Sequence, residues 1–125
     1  MKRYLSRAAA AAAALAAVAM LAVPALAHAP VTGTSPKNGA TVSKVRTVTV
    51  RFGEAVVTGK ITVYKASGKA LSAKESGLNP KNKARLRAVF AKNLASGKYT
   101  VKWRALADDG HHQKGTFHFT VKAAG

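Results

Sequence analysis

From residue 46 to the end of the chain, apolar and polar residues alternate in short runs. In RTVTVRF, Val48, Val50 and Phe52 share one face, while Thr47, Thr49 and Arg51 share the other. Period two is the pattern of a half-buried strand. KITVYKA repeats it with Ile61 and Val63 inward, and ARLRAVF repeats it with Leu86, Ala88 and Phe90 on one face. ASGKYTVKWRAL opens on a turn at Gly97 and alternates Tyr99, Val101 and Trp103 against Thr100, Lys102 and Arg104. GTFHFTVK closes the series with Phe117, Phe119 and Val121 inward. Turn signals separate the runs: Pro36 with the Asn38-Gly39 pair in SPKNGATV, and SGK at 67–69. Residues 67–83 are polar and punctuated by Gly and Pro, and read as a loop with room for one short strand. Nothing after residue 27 shows helical spacing. The expected fold is an all-β sandwich with Phe52, Phe90, Trp103, Phe117 and Phe119 in its core.

The first 27 residues differ in kind. A basic start, MKRYLSR, leads into an alanine-rich apolar run over residues 8–27 that ends Ala25, Leu26, Ala27. Charged start, apolar middle and A-x-A end describe a secretory signal peptide. The run has nearly the roughly 20 residues a membrane span needs, but its composition and Pro24 favour cleavage. The domain division is therefore a signal peptide at 1–27 and one exported β-domain at 28–125. A small exported domain is often stapled by disulfides. This chain has no cysteine, so packing alone must hold it, and thiolate chemistry is excluded.

Charge narrows the partners. The chain carries a formal +17, and only three of its 21 Lys and Arg (Lys2, Arg3 and Arg7) fall in the leader. The acids are four: Glu54, Glu75, Asp108 and Asp109. Such a surface is drawn to anionic ones. Export argues against nucleic acid and leaves a plain solvated surface, the ordinary role of scattered lysines, or weak contact with an anionic membrane surface or an acidic partner.

The chemistry concentrates in ALADDGHHQKG, between the last two alternating runs. Asp109 and His111 stand two residues apart, on one side of an extended chain. They supply a carboxylate oxygen and an imidazole nitrogen, half of a metal site. His28 offers the other half, because cleavage after Ala27 turns its backbone nitrogen into a free amine with a reference pKa of about 7.7–8.0. Amine and imidazole of one residue then form a chelate that an internal histidine cannot form. Mixed N,O sets of this kind suit Cu(II) or Ni(II), and the Irving–Williams order favours copper. Both methionines, Met1 and Met20, lie in the leader, so soft Cu(I) ligands are absent from the mature domain. Asp108 reads as a turn residue or an acceptor for a histidine N–H, His112 as solvent-facing or a reserve ligand, and His118 as outward and structural.

These segments resemble the CopC-type periplasmic copper-resistance proteins. The resemblance begins with H-A-x-V at His28. It continues through SPKNGATV and VTVRFGEAV, and ends with WRALADDGHHQKGTFHFTV. It implies a small cupredoxin-like Greek-key β-sandwich or barrel. It also implies a non-enzymatic Cu(II) carrier that delivers copper to a membrane transporter of the CopD type. Its Cu(II) ligands map onto His28, Asp109 and His111. The glutamate of the family's F-S-E-P stretch, which lies at or near copper in some members, maps onto Glu54. Three departures stand out: His112 where the family often has Pro, FGEA in place of F-S-E-P, and no methionine-rich loop. Two other readings remain: a histidine-brace copper oxygenase acting on polysaccharide, and a basic envelope-surface β-domain without metal.

Overall fold

The computed structural model describes residues 29–124. The leader and His28 lie outside the described residues. Eight strands run in chain order: β1 (Val31–Ser35), β2 (Ala40–Val42), β3 (Thr47–Phe52), β4 (Val56–Lys65), β5 (Glu75–Asn79), β6 (Asn82–Val89), β7 (Gly97–Ala107) and β8 (His112–Val121). They form two four-stranded sheets, β1-β3-β6-β5 and β2-β8-β7-β4. Neighbours pair antiparallel except β2, which lies parallel to β8 with Ala40 opposite Phe119. No described residue is helical. The all-β sandwich expected from the alternation is the fold observed.

Alternation determines which side chains face inward. Val48, Val50 and Phe52 of β3 meet Leu86 and Ala88 of β6 from one sheet. Ile61, Val63, Tyr99, Val101, Phe117, Phe119 and Val121 fill the space from the other. Among the described residues no polar or charged residue is fully buried. Trp103 is half-buried and packs on this cluster from its edge. Its ring meets Phe52 of the opposite sheet edge-on, with centroids 5.4 Å apart and an interplanar angle of 80°, the geometry aromatic quadrupoles favour. Trp103 stands opposite Gly115 in the β7–β8 ladder. A Cβ on Gly115 would lie 2.6 Å from three indole atoms, so the ring lies flat on the glycine backbone.

The structure departs from the sequence reading at the edges. β1 and the three-residue β2 are additional strands. Their sequences, VTGTS and ATV, are too short and too polar for a clear period-two signal. The 67–83 segment carries β5. The last hairpin is the main correction: β7 runs to Ala107 and β8 starts at His112, so the connection between them is only residues 108–111. HHQKG reads as loop by composition, yet ladder pairing extends through it, with Leu106 opposite His112 and Ala105 opposite Gln113.

Tyr99 stacks on Phe119 and donates its hydroxyl to the Ala95 carbonyl. Burial raises its pKa above the ordinary value of 10.0. The neutral phenol is thus favoured in the folded state, and its contribution to stability is lost as pH rises beyond that value. Denaturation midpoints across alkaline pH are expected to fall less steeply in Tyr99→Phe, which also loses about 0.5–1.5 kcal/mol with the hydrogen bond. Gly115→Ala is expected to displace the indole and cost roughly 1–3 kcal/mol, read by urea denaturation together with the near-ultraviolet dichroism of Trp103.

Candidate metal centre

Topology brings several connections to one end of the sandwich. Val31 pairs with Phe52, so β1 begins where β3 ends. Residues 53–55 cross to the other sheet, where Val56 pairs with Ala107 at the end of β7. The 108–111 turn follows directly. Ala29 is buried at 3% exposure, and the Gly53 N–H donates to the Pro30 carbonyl at 2.8 Å. The start of the described chain is therefore fastened to the same end as Glu54 and the 108–111 turn.

Within the turn, local hydrogen bonds hold Asp109 and His111 together. The Gly110 N–H donates to the Ala107 carbonyl at 3.0 Å, and the Ala107 N–H donates to the His111 carbonyl at 2.9 Å. Gly110 has φ +86°, a left-handed conformation that glycine adopts without steric cost. One carboxylate oxygen of Asp109, Oδ1, accepts the His111 N–H at 2.9 Å. The other, Oδ2, lies 3.0 Å from His111 Nδ1. The i, i+2 spacing legible in the sequence is thus a direct carboxylate–imidazole contact. Both side chains reach solvent, with 63% exposure for His111 and 26% for Asp109.

That separation bears on metal chemistry. Two adjacent ligands at right angles, each roughly 2.0–2.2 Å from one ion, lie about 2.8–3.1 Å apart. The Asp109–His111 separation matches this spacing, and it equally matches a charge-assisted hydrogen bond between carboxylate and imidazole. Among the described residues no three His, Asp or Glu gather into a metal-holding group. The turn supplies two potential donors, and His28 falls outside the described residues.

The other expected residues separate from this pair. Glu54 lines a cavity of about 430 Å³ with Lys83 and Asp108. Asp108 therefore belongs to the Glu54 side of this end. His112 starts β8 and borders a different cavity, with Lys60 and Arg104 on the outer face of the second sheet. His112 has the outward phase of Lys114 and His118 in β8, whereas His111 belongs to the turn, so the two histidines diverge. His118 is exposed, with Nδ1 3.1 Å from the Thr100 hydroxyl, and its N–H donates to Asn38. It plays the outward, structural part expected of it.

Gln113 was not legible as a site residue. It is in phase with Phe117, Phe119 and Val121, half-buried two residues beyond His111. Its Nε2 is buried without a hydrogen-bond partner among the described residues. Carrying the inward phase of β8 back from Phe117 would have found it, had the strand been started at His112.

A CopC domain model matches residues 31–122. The chain belongs to the CopC family. The protein YobA of Escherichia coli K12 is 37% identical over 102 residues, which cover 77% of this chain and 80% of YobA. Among solved structures, CopC from Methylosinus trichosporium OB3b is 29% identical with a TM-score of 0.66, covering 78% of this chain and 97% of that one. PcoC from Escherichia coli, a methionine-rich copper resistance protein, shares the fold at 24% identity and a TM-score of 0.63, over 77% of this chain and all of PcoC. This CopC-family domain has no methionine after Met20, so it lacks the residue type that describes PcoC.

Gly110→Ala forces a Cβ into the left-handed region and is expected to cost about 1–2 kcal/mol. It is also expected to loosen the Asp109–His111 contact, observable as a change in the His111 amide and imidazole resonances.

Proposed function

We propose that this protein is an envelope Cu(II) carrier, non-enzymatic, in which His28, Asp109 and His111 hold the ion. The observation that carries the reading is the 3.0 Å approach of Asp109 Oδ2 to His111 Nδ1, at the end where Ala29 and Pro30 are anchored. Signal cleavage after Ala27 would make the amine and imidazole of His28 a bidentate grip. Membership of the CopC family, and the copper resistance role in the description of PcoC, support copper as the cargo. The nitrogen and oxygen donors favour the oxidised ion, and no sulfur ligand is available after Met20.

The chain's own residues define how cargo would be held and released. Asp109 supplies the negative charge, and the turn's hydrogen bonds keep its carboxylate beside the imidazole. Exposure of His111 leaves the site open to a recipient, for which we propose a membrane copper transporter of the CopD type. Glu54 and Asp108 border the adjoining cavity and supply negative charge close to the site. Gln113, the second residue of β8, has a buried amide donor without a hydrogen-bond partner among the described residues, suited to a hydrogen bond that orients a ligand.

The test is direct. Protein made with His28 as its first residue is compared with the same protein carrying one glycine ahead of it. Blocking the amine is expected to weaken Cu(II) binding on the order of a hundredfold, about 2.7 kcal/mol, and to change the Cu(II) electron paramagnetic resonance spectrum. Equal affinity in the two proteins removes the chelate. Asp109→Asn retains an acceptor for the His111 N–H and removes the charge; it is expected to lower affinity at least tenfold with little change in melting temperature. Cu(II) binding to the unextended protein should weaken as pH falls, because the α-amine must shed its proton to bind.

A further inference from the structure

The outer face of the second sheet carries a charge arrangement that the metal site does not use. Lys60 of β4 stands directly opposite Arg104 of β7, and Arg104 directly opposite Lys114 of β8. Three exposed cations thus form one row across three adjacent strands. Lys102 stands in the next row, between Thr62 and Thr116. Directly opposed side chains lie about 4.5–5.5 Å apart at Cβ, and like charges there are destabilising. The four acids are elsewhere. Glu54, Asp108 and Asp109 sit at the end that carries the turn, and Glu75 is on β5 of the other sheet. Lys60, Lys102, Arg104 and Lys114 instead surround an open depression of about 280 Å³. The arginines of the first sheet differ: Arg51, Arg85 and Arg87 are half-buried, and Arg51 lies against the backbone of Gly33.

We propose that this face docks on an anionic lipid surface, with Lys60, Lys102, Arg104 and Lys114 meeting headgroup phosphates. The face is a plain sheet surface, and its cations are mainly lysines, compact point charges that suit a laterally mobile phosphate layer. Threonines Thr62 and Thr116 add hydroxyl donors between them. Nucleic acid fits less well, because of the two aromatic residues lining the depression Trp103 turns its ring inward onto Phe52, and Tyr64 is half-buried and already carries the Lys102 ammonium 5.6 Å from its centroid. Apolar side chains offer little for insertion here: Leu106, in phase with Arg104, is half-buried, and the exposed large ones among the described residues, Val31 and Val57, lie near the starts of β1 and β4, at the turn-bearing end. Docking is therefore electrostatic and salt-sensitive. It leaves the 108–111 turn at one end of the sandwich, clear of the docked face.

The experiment uses protein recovered after export, sedimented with phosphatidylcholine vesicles with and without phosphatidylglycerol. A face variant, Lys60→Gln with Lys102→Gln and Lys114→Gln, is compared with a loop variant of equal charge, Lys44→Gln with Lys69→Gln and Lys81→Gln. Each basic residue at an anionic surface contributes about fivefold in partitioning. The face variant is expected to lose about a hundredfold on the anionic vesicles, the loop variant less than about tenfold, and binding is expected to vanish in high salt. The face variant is also expected to melt no lower than the parent, since it relieves the like-charge row, so lost binding is not lost folding. Equal losses in the two variants would show that net charge alone acts and would overturn the assignment to this face. Absence of binding to phosphatidylglycerol vesicles would do the same. Equal or tighter binding to a DNA oligonucleotide or to polyglutamate, with the same dependence on the face, would replace the lipid with that partner.

Discussion

The contact between Phe52 and Trp103 joins the two sheets, and the proposed site depends on it. Phe52 is the last residue of β3, opposite Val31; one residue later Gly53 takes the Pro30 carbonyl. Trp103 lies in β7, four residues before the strand ends at Ala107 and the turn begins. An edge-on ring pair at this position fixes the spacing between the two sheets near the end where the start of the domain meets the hairpin. Gly115 is part of the same device, because only a residue without a side chain allows the indole to lie flat and still reach Phe52. With no disulfide available, this packing does the work of a staple.

Strand alternation made most of this fold legible in advance. Every inward residue named for β3, β6 and β8 is buried, because period-two patterning is strong wherever a sheet has one wet face. β1 and β2 were not legible for the converse reason: VTGTS and ATV are short, half-exposed and partly polar, and they exist because β3 and β8 offer ladder partners. The last hairpin was drawn too wide on composition. His112, Gln113 and Lys114 look like loop residues, but the ladder continues through them and pulls the turn in to four residues.

The candidate site was legible in part. The Asp109 and His111 spacing foretold a shared direction, and the carboxylate–imidazole contact realises it. Glu54 came from likeness to a family motif; the fold brings it to the same end, beside Asp108 and Lys83. The Lys60, Arg104, Lys114 row escaped notice because it depends on cross-strand register, which a linear pattern does not contain; Gln113 escaped because the alternation of β8 was not carried back to His112. Histidines that are neighbours in sequence serve different surfaces here: His111 faces the turn, whereas His112 belongs to the basic face.

The interior of this domain is built from valine, leucine, isoleucine, alanine and aromatic rings, with neither thiol nor thioether after Met20. Sulfur side chains are the ones that redox-active ions and peroxide convert most readily into bulky polar products. A body without them has no weak point of that kind beneath the donors at its tip. If, as proposed, the tip carries an oxidising ion, the packing of Phe52, Trp103 and their neighbours offers it no sulfur to convert to a sulfoxide or mixed disulfide.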